Sequence, residues 1–372
     1  MRTDMRQIKN TPYISYWRKR RHVALLLCLV AVTAFRSVPG LGAWYTDSIY
    51  PLVCGTVPRL TGMVPFAVGD VFIAMSVAWV VLYPIYAIVK RRKAKGRVMA
   101  QATEWVLWVY VWFYAAWGLN YAQPDIYHRA HLLPAQVDKR SFQRFAQAYA
   151  DSLNATYTPD SAFLRTRSEA CIRASYIKIG NAEAGMGISV PYEYFPPAKT
   201  MVFSRLSSMA GVWGSMGPFF CEYTLNADLQ PHEYAATYAH ELSHLMGIAN
   251  EGEANFYSYV TCTMATDRAT RFSGYYHLLP HVSGHVRELL GARAEASFIQ
   301  RLRPEIVRMA RHDRAYWLGR RCPWVDKAQN ALYELYLHGN HVEGGLQSYA
   351  GVVGIVMAWQ ARGLTSSAPA HR

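Results

Sequence analysis

The chain has 372 residues, 52% of them hydrophobic and 14% aromatic, with a formal net charge of +14. That composition supplies ample core material and excludes a largely disordered protein. The basic excess is not spread as in a nucleic-acid binder: it concentrates in Arg18-Lys19-Arg20-Arg21 and in the run Lys90 to Arg97, each beside a long apolar segment, as in a membrane protein.

In chain order, residues 1–21 form a basic, cytoplasmic N-terminus, and residues 22–121 a membrane region with three predicted transmembrane helices at about 22–45, 66–89 and 103–121. The first begins with "HVALLLCLVAVTAF"; its short apolar core, followed by small residues, also fits a cleaved signal peptide. The second, Val71 to Val89, carries no formal charge and is long enough to cross a bilayer; a membrane helix tolerates its Pro84. The third, Trp105 to Tyr121, is short and dense in Trp and Tyr, which suits interfacial anchoring. With both basic runs in the cytoplasm, everything after residue 121 is expected outside, whether or not the first segment is cleaved.

Residues 122–362 read as one extracytoplasmic domain, mostly helical, followed by a disordered tail at 363–372. "SFQRFAQAYADSL" sets Phe142, Phe145, Tyr149 and Leu153 on one helical face. A second helix is expected to stop at Gly180, before a Gly- and Pro-rich stretch to about Met216 with room for a short helix. "FFCEYTLN" reads as one short strand, Pro231 starts a helix that Gly247 ends, and a further helix begins near Glu251. "GLQSYAGVVGIVMAWQARG" has an apolar core of nearly spanning length, but Gln347, Ser348 and clustered Gly favour a packed helix over a fourth crossing. Of six cysteines, Cys28 falls in a predicted span and Cys54 in the first outer loop. Cys171, Cys221, Cys262 and Cys322 lie where disulfides are permitted, and three pairings stay open.

The chemistry concentrates in "HELSHLMGIANEGEANF". On a helix, His240 and His244 share a face one turn apart and can offer two imidazole nitrogens to one Zn²⁺. Glu241 beside them can take the proton of a water on that metal as general base. Two His and a Glu within an apolar helix are costly without a partner. A third ligand is expected to be a carboxylate, because Asn250 stands where a HExxHxxGxxH pattern needs His. Glu251 is favoured, since Asn255 follows one turn later and can hold a His ring; Glu253, paired with Tyr257, is the alternative.

These residues resemble gluzincin-type metallopeptidases, whose pattern is HExxH followed by ExxxD, with Asn255 here in place of Asp. Most of the chain also resembles an uncharacterised family of bacterial membrane proteins known only as a domain of unknown function. That likeness is carried by "YPLVCGTVPRLTGMVPFAVGD", "WGLNY", "GPFFCEYTLN" and "GLQSYAGVV". The resemblance implies a mainly α protein: N-terminal transmembrane helices, then an α-helical zincin-like domain with a small β element, in a bacterial inner membrane. It also implies that "FFCEYTLN" is the edge strand beside the metal cleft, where Glu222 meets a substrate amine or a structural Arg, unless it is a solvated residue on a domain face. A donor for the developing oxyanion is expected among Tyr275, Tyr276, His277, His281, His285, His341 and Tyr349.

The expected activity is zinc-dependent hydrolysis of peptide bonds in envelope proteins or peptides outside the cytoplasm. Its partners are the lipid bilayer and a polypeptide substrate, with no nucleic acid. The alternative is a catalytically inactive zinc-binding membrane scaffold or sensor. The separation in sequence between residue 121 and the motif argues against cleavage within the bilayer.

Overall fold

The computed structural model describes residues 12–135, 138–181, 185–189, 195–340 and 351–366. Residues 1–11 of the basic N-terminus, His341, Tyr349 and the tail from residue 367 lie outside the described residues.

The first third is helical: α1 (Pro12–Ser37), α2 (Leu41–Trp44), a π-helical turn over Tyr45–Ile49, α3 (Tyr50–Thr61), α4 (Val68–Val89) and α5 (Lys95–Ala116). Among the described residues, α4 is the one helix long and apolar enough to cross a membrane by itself. Lys19–Ser37 and Leu41–Thr61 pass that test only as a pair bent by 110°. The expected three spans thus become one or two. The first is broken at Gly40, whose φ of 85° favours glycine. The third falls short because α5 carries Lys95, Arg97, Gln101 and Glu104 in its first half. On α4, Met75, Leu82 and Val89 are 67%, 61% and 70% exposed. Side chains this apolar favour leaving water by roughly 1.5–3 kcal/mol each, so the helix calls for an apolar surrounding.

The basic ends of these helices meet. Arg21 of α1 donates to Glu104 of α5 at 2.7 Å, and Tyr83 of α4 donates to Gln101 at 2.6 Å. Farther along the α4–α5 seam, the Trp79 and Trp105 rings lie 5.3 Å apart.

The remaining elements are α6 (Ile126–Arg129), α7 (Lys139–Thr156), α8 (Arg165–Gly180), β1 (Lys199–Thr200), α9 (Ser204–Met209), β2 (Gly214–Gly217), β3 (Glu222–Leu225), α10 (Pro231–Leu245), α11 (Glu251–Thr263), α12 (Arg268–Leu290), α13 (Ala292–Arg301), α14 (Pro304–Leu318), α15 (Pro323–Gly339) and α16 (Val352–Ser366). Helices α10, α11 and α12 pack on one another as the centre of the domain, with α7, α8 and α16 around them. The face of α7 that carries Phe142, Phe145, Tyr149 and Leu153 is buried. Helix α16 buries Val352, Val353 and Val356, its Trp359 ring 6.1 Å from Phe256 of α11. It also continues through residues 363–366, which the sequence assigns to the tail.

The sheet has the order β1-β3-β2, with β1 parallel and β2 antiparallel to β3. Two of its strands escape sequence reading, because "KT" and "GSMG" are too short to show alternation. Cys171, Cys221, Cys262 and Cys322 form no disulfide, so none of the open pairings is made.

Glu222 was expected at the cleft edge and lies elsewhere. Its strand, β3, is central rather than an edge. One carboxylate oxygen pairs with Lys199 and the other accepts from Gly69 N–H at 2.8 Å. Gly69 sits in the first turn of α4, where the helix dipole favours an anion. Lys199 also donates to the carbonyls of Thr61 and Phe66 at 2.7 and 2.9 Å. This buried pair fastens the domain to α3 and α4.

Candidate metal centre

Helix α10 starts on a capping box between Gln230 and Glu233, with Pro231 in its first turn. Its last two turns carry His240, Glu241 and His244. Gly247, at φ 90°, reverses the chain, and a Cβ there would come 3.2 Å from Asn120 Oδ1 and Tyr50. Asn250 then caps α11 by accepting from Glu253 N–H, which makes Glu251 the first residue of that helix. This hairpin of helices brings the sequence-expected ligands together.

His240 Nε2 lies 3.1 Å from Glu251 Oε2 and 3.1 Å from His244 Nε2, and His244 Nε2 lies 3.4 Å from Glu251 Oε2. A tetrahedral zinc about 2.0–2.2 Å from each ligand spaces its donors by roughly 3.3–3.5 Å, so the three atoms fit one ion. The rings' other nitrogens point the same way chemically. His240 Nδ1 meets Asn255 Oδ1 at 2.9 Å, and His244 Nδ1 meets the Ile248 carbonyl at 2.6 Å. Each acceptor asks for an N–H on Nδ1, which leaves a lone pair on each Nε2. Two lone pairs and a carboxylate facing one another at these distances repel unless positive charge lies among them.

The electrostatics agree. Burial opposes charge on His244, yet the Glu251 carboxylate outweighs it and pushes the imidazole up to about 9. Burial likewise opposes the Glu251 carboxylate, but His244 and His240 hold it well below the usual range. The carboxylate and the imidazoles thus favour a positive charge held among them.

Glu253 is held elsewhere. Its oxygens accept from Ile126 N–H at 2.9 Å and pair with Arg129 at 2.6 Å. The structure thus gathers Glu251, and not Glu253, with the two imidazoles.

Glu241 is buried against β2. Burial raises its carboxyl above the usual range, while His240 and His244 oppose that rise and Met216 N–H donates to it. Gly214 makes the approach possible: a Cβ there would fall 2.4 Å from Glu241 Oε1 and 2.6 Å from its Cγ. Asn226 N–H donates to Trp213 O at 2.8 Å, a bond between residues opposed in the β2–β3 ladder. By the antiparallel alternation, the backbone groups of Gly214 and Met216 face away from β3, toward α10.

A cleft of about 1420 Å³ opens over this group. His277 and His281 of α12 lie in its wall, and burial pushes them down to about 3 and about 4, so both are neutral. His277 Nε2 approaches Asn255 Oδ1 at 3.1 Å. The other described donor candidates turn away: the Tyr276 hydroxyl donates to Asp313, Tyr275 packs against Tyr149 and Tyr259, and His285 sits beside Phe142.

Sequence reading missed how closely the N-terminal helices grip the site. Trp117, just past α5, donates its indole N–H to the His244 carbonyl at 2.8 Å, and Tyr50 of α3 donates to the Leu245 carbonyl at 2.6 Å. The signal was present in "WGLNY", where Asn120 sets a polar amide within the end of an apolar, aromatic segment.

A second titratable group, His232, Glu233 and Asp313, is also close enough to share an ion. Its donors are already engaged within the protein. His232 bridges Asp160 at 2.7 Å and Asp313 at 2.8 Å, and Glu233 accepts from Trp317 and Gln230. It reads as a clamp of α14 onto α10. Burial opposes charge on His232, but Asp313 and Asp160 raise it above 6.5. Burial opposes the Asp313 carboxylate, but His232 takes it below 3.8. The histidine's contribution is complete below 6.5 and fades as pH rises through its raised value. The aspartate's is complete above 3.8 and fades as pH falls through its lowered value. Asp313→Asn should therefore lower the melting temperature most between about pH 4 and 6.5. A deficit that does not vary with pH would count against the charged clamp.

In comparison with known proteins, a family described as "Protein of unknown function (DUF3810)" aligns with residues 45–357. No curated protein and no solved structure matches the chain.

Proposed function

The chain belongs to the DUF3810 family, whose function is unknown, and we propose that it is a membrane-anchored, zinc-dependent metallopeptidase with a gluzincin-like site. The observation that carries this reading is the convergence of His240 Nε2, His244 Nε2 and Glu251 Oε2 within 3.4 Å of one another beside a buried Glu241. These three residues would hold the ion, and Asn255 and Ile248 fix the imidazole orientations. A zinc bound there supplies Lewis acidity, lowering the pKa of water and polarising a carbonyl.

The chain's own groups supply the rest. Glu241 accepts a proton from the attacking water on its carboxylate and delivers it to the leaving amine. Burial favours its protonated form, which moves a carboxyl toward the neutral range where such exchange is efficient. His281, on the cleft wall, is the candidate N–H donor to the carbonyl oxygen as charge develops there. The outward backbone of β2 offers hydrogen bonds to an extended peptide. An inactive zinc scaffold would leave the buried Glu241 and the glycine that accommodates it without a role.

We place the domain outside the cytoplasm, with the basic helix ends inside, a topology that requires α5 to cross back beside α4 although it falls short of the apolar-length test by itself. In cells, newly created N-termini of envelope proteins should be present with wild type and missing with Glu241→Gln. Identical N-terminal profiles would eliminate the peptidase reading.

Gly214→Ala provides a second check. The added methyl group must displace Glu241, and misplacement of about 1 Å costs on the order of 10²-fold. Turnover should fall by about that factor with zinc content unchanged; wild-type turnover would show that β2 does not set the position of Glu241.

A further inference from the structure

The cleft has a second wall that peptide hydrolysis by itself does not require. Val106, Val109, Tyr110, Phe113 and Tyr114 of α5, with Trp117 beyond it, line the same cavity as the two metal-site histidines and Glu241. Their spacing puts them along one side of the helix. Helix α5 lies against α4, the apolar helix whose side chains stay open to the surroundings, so whatever medium bathes α4 also bathes α5. Elsewhere on α5, Trp112 is 42% exposed, and its indole donates to the Phe219 carbonyl at 2.9 Å. The groove thus runs from an apolar, membrane-proximal wall to the His–His–Glu triad without leaving one cavity.

From this continuity, and resting on the peptidase reading above, we propose that the cleft receives the juxtamembrane stretch of a membrane-inserted polypeptide. Its apolar part lies along α5, and its first extended residues reach β2 and the triad. The two walls argue for a polypeptide over a lipid. The aromatic face of α5 suits an apolar segment, whereas the N–H and C=O of Gly214 and the C=O of Met216, which the β2–β3 ladder does not use, suit a peptide backbone. Length sets a ruler. From Val106 to Trp117 the helix rises about 16 Å, which about five residues of extended chain cover. Separation in sequence between the third apolar segment and the motif is therefore no measure of distance: Trp117 touches the helix that bears the ligands.

The test uses the full-length protein in zinc-containing proteoliposomes. The probes are short random-sequence tails fused to a synthetic Leu-Ala spanning helix, with the cut positions read by mass spectrometry. Cuts should cluster within about five residues of the span; cuts scattered evenly along the tails would overturn the proposal. A second readout does not depend on turnover. A photo-cross-linker replacing Val109 in the Glu241→Gln protein should label the apolar segment of the same probe, and labelling of lipid alone would also overturn it. If wild type cuts no tail while the cross-link persists, the occupant stands and the hydrolytic reading fails.

Discussion

Glu241→Gln is expected to lower peptide turnover by roughly 10³-fold, the usual worth of a positioned proton acceptor, while zinc stays bound at one ion per chain. Gln keeps the shape and can still accept from Met216 N–H, but it cannot take and return a proton. Stability should hold or rise, because burial already works against the Glu241 carboxylate. The measurement is turnover of a cleaved envelope peptide beside metal content and melting temperature, on the same purified preparation. Wild-type turnover in the variant would remove Glu241 from the chemistry. A fall in turnover matched by lost zinc would instead make it a structural support of the site.

Much of this site was legible in the sequence for a physical reason: its parts are local. Residues 240 to 255 lie on two helices joined by a short turn, so helical periodicity alone brings His240 and His244 together, and the i, i+4 relation links Glu251 to Asn255. Gly247 and the cap at Asn250 fix the turn between them.

What stayed illegible depends on contacts across long separations. Nothing near Glu222 announces Lys199 or the start of α4, and nothing near Glu253 announces Arg129. The strands Lys199–Thr200 and Gly214–Gly217 exist only because β3 pairs with them. The bend at Gly40 and the polar first half of α5 redraw the three spans expected from sequence in the same way. Each segment is apolar on average, but a helix crosses a bilayer by continuous length, not by average.

The choice between the two neighbouring carboxylates yields the sharpest pair of outcomes. Outer partners of a ligand usually cost 10–100-fold in metal affinity, so loss of a ligand itself in Glu251→Ala should weaken zinc binding by more than about 100-fold. The fold should largely survive, since the lost acid leaves both imidazoles still bonded to Asn255 and Ile248. Glu253→Ala should do the reverse. It strands Arg129, whose side chain is only 14% exposed, and breaking a buried pair on one side costs about 3–5 kcal/mol. In a domain of this size that is a drop in melting temperature of about 6–20 °C, with zinc affinity near wild type at temperatures where the protein is folded. The double variant Glu253→Ala with Arg129→Met should recover part of that loss, because no unpaired cation then remains. Zinc titration and thermal unfolding on the same three proteins decide the assignment. If Glu253→Ala loses the metal and Glu251→Ala keeps it, the helix that follows the motif presents its other face to the ion.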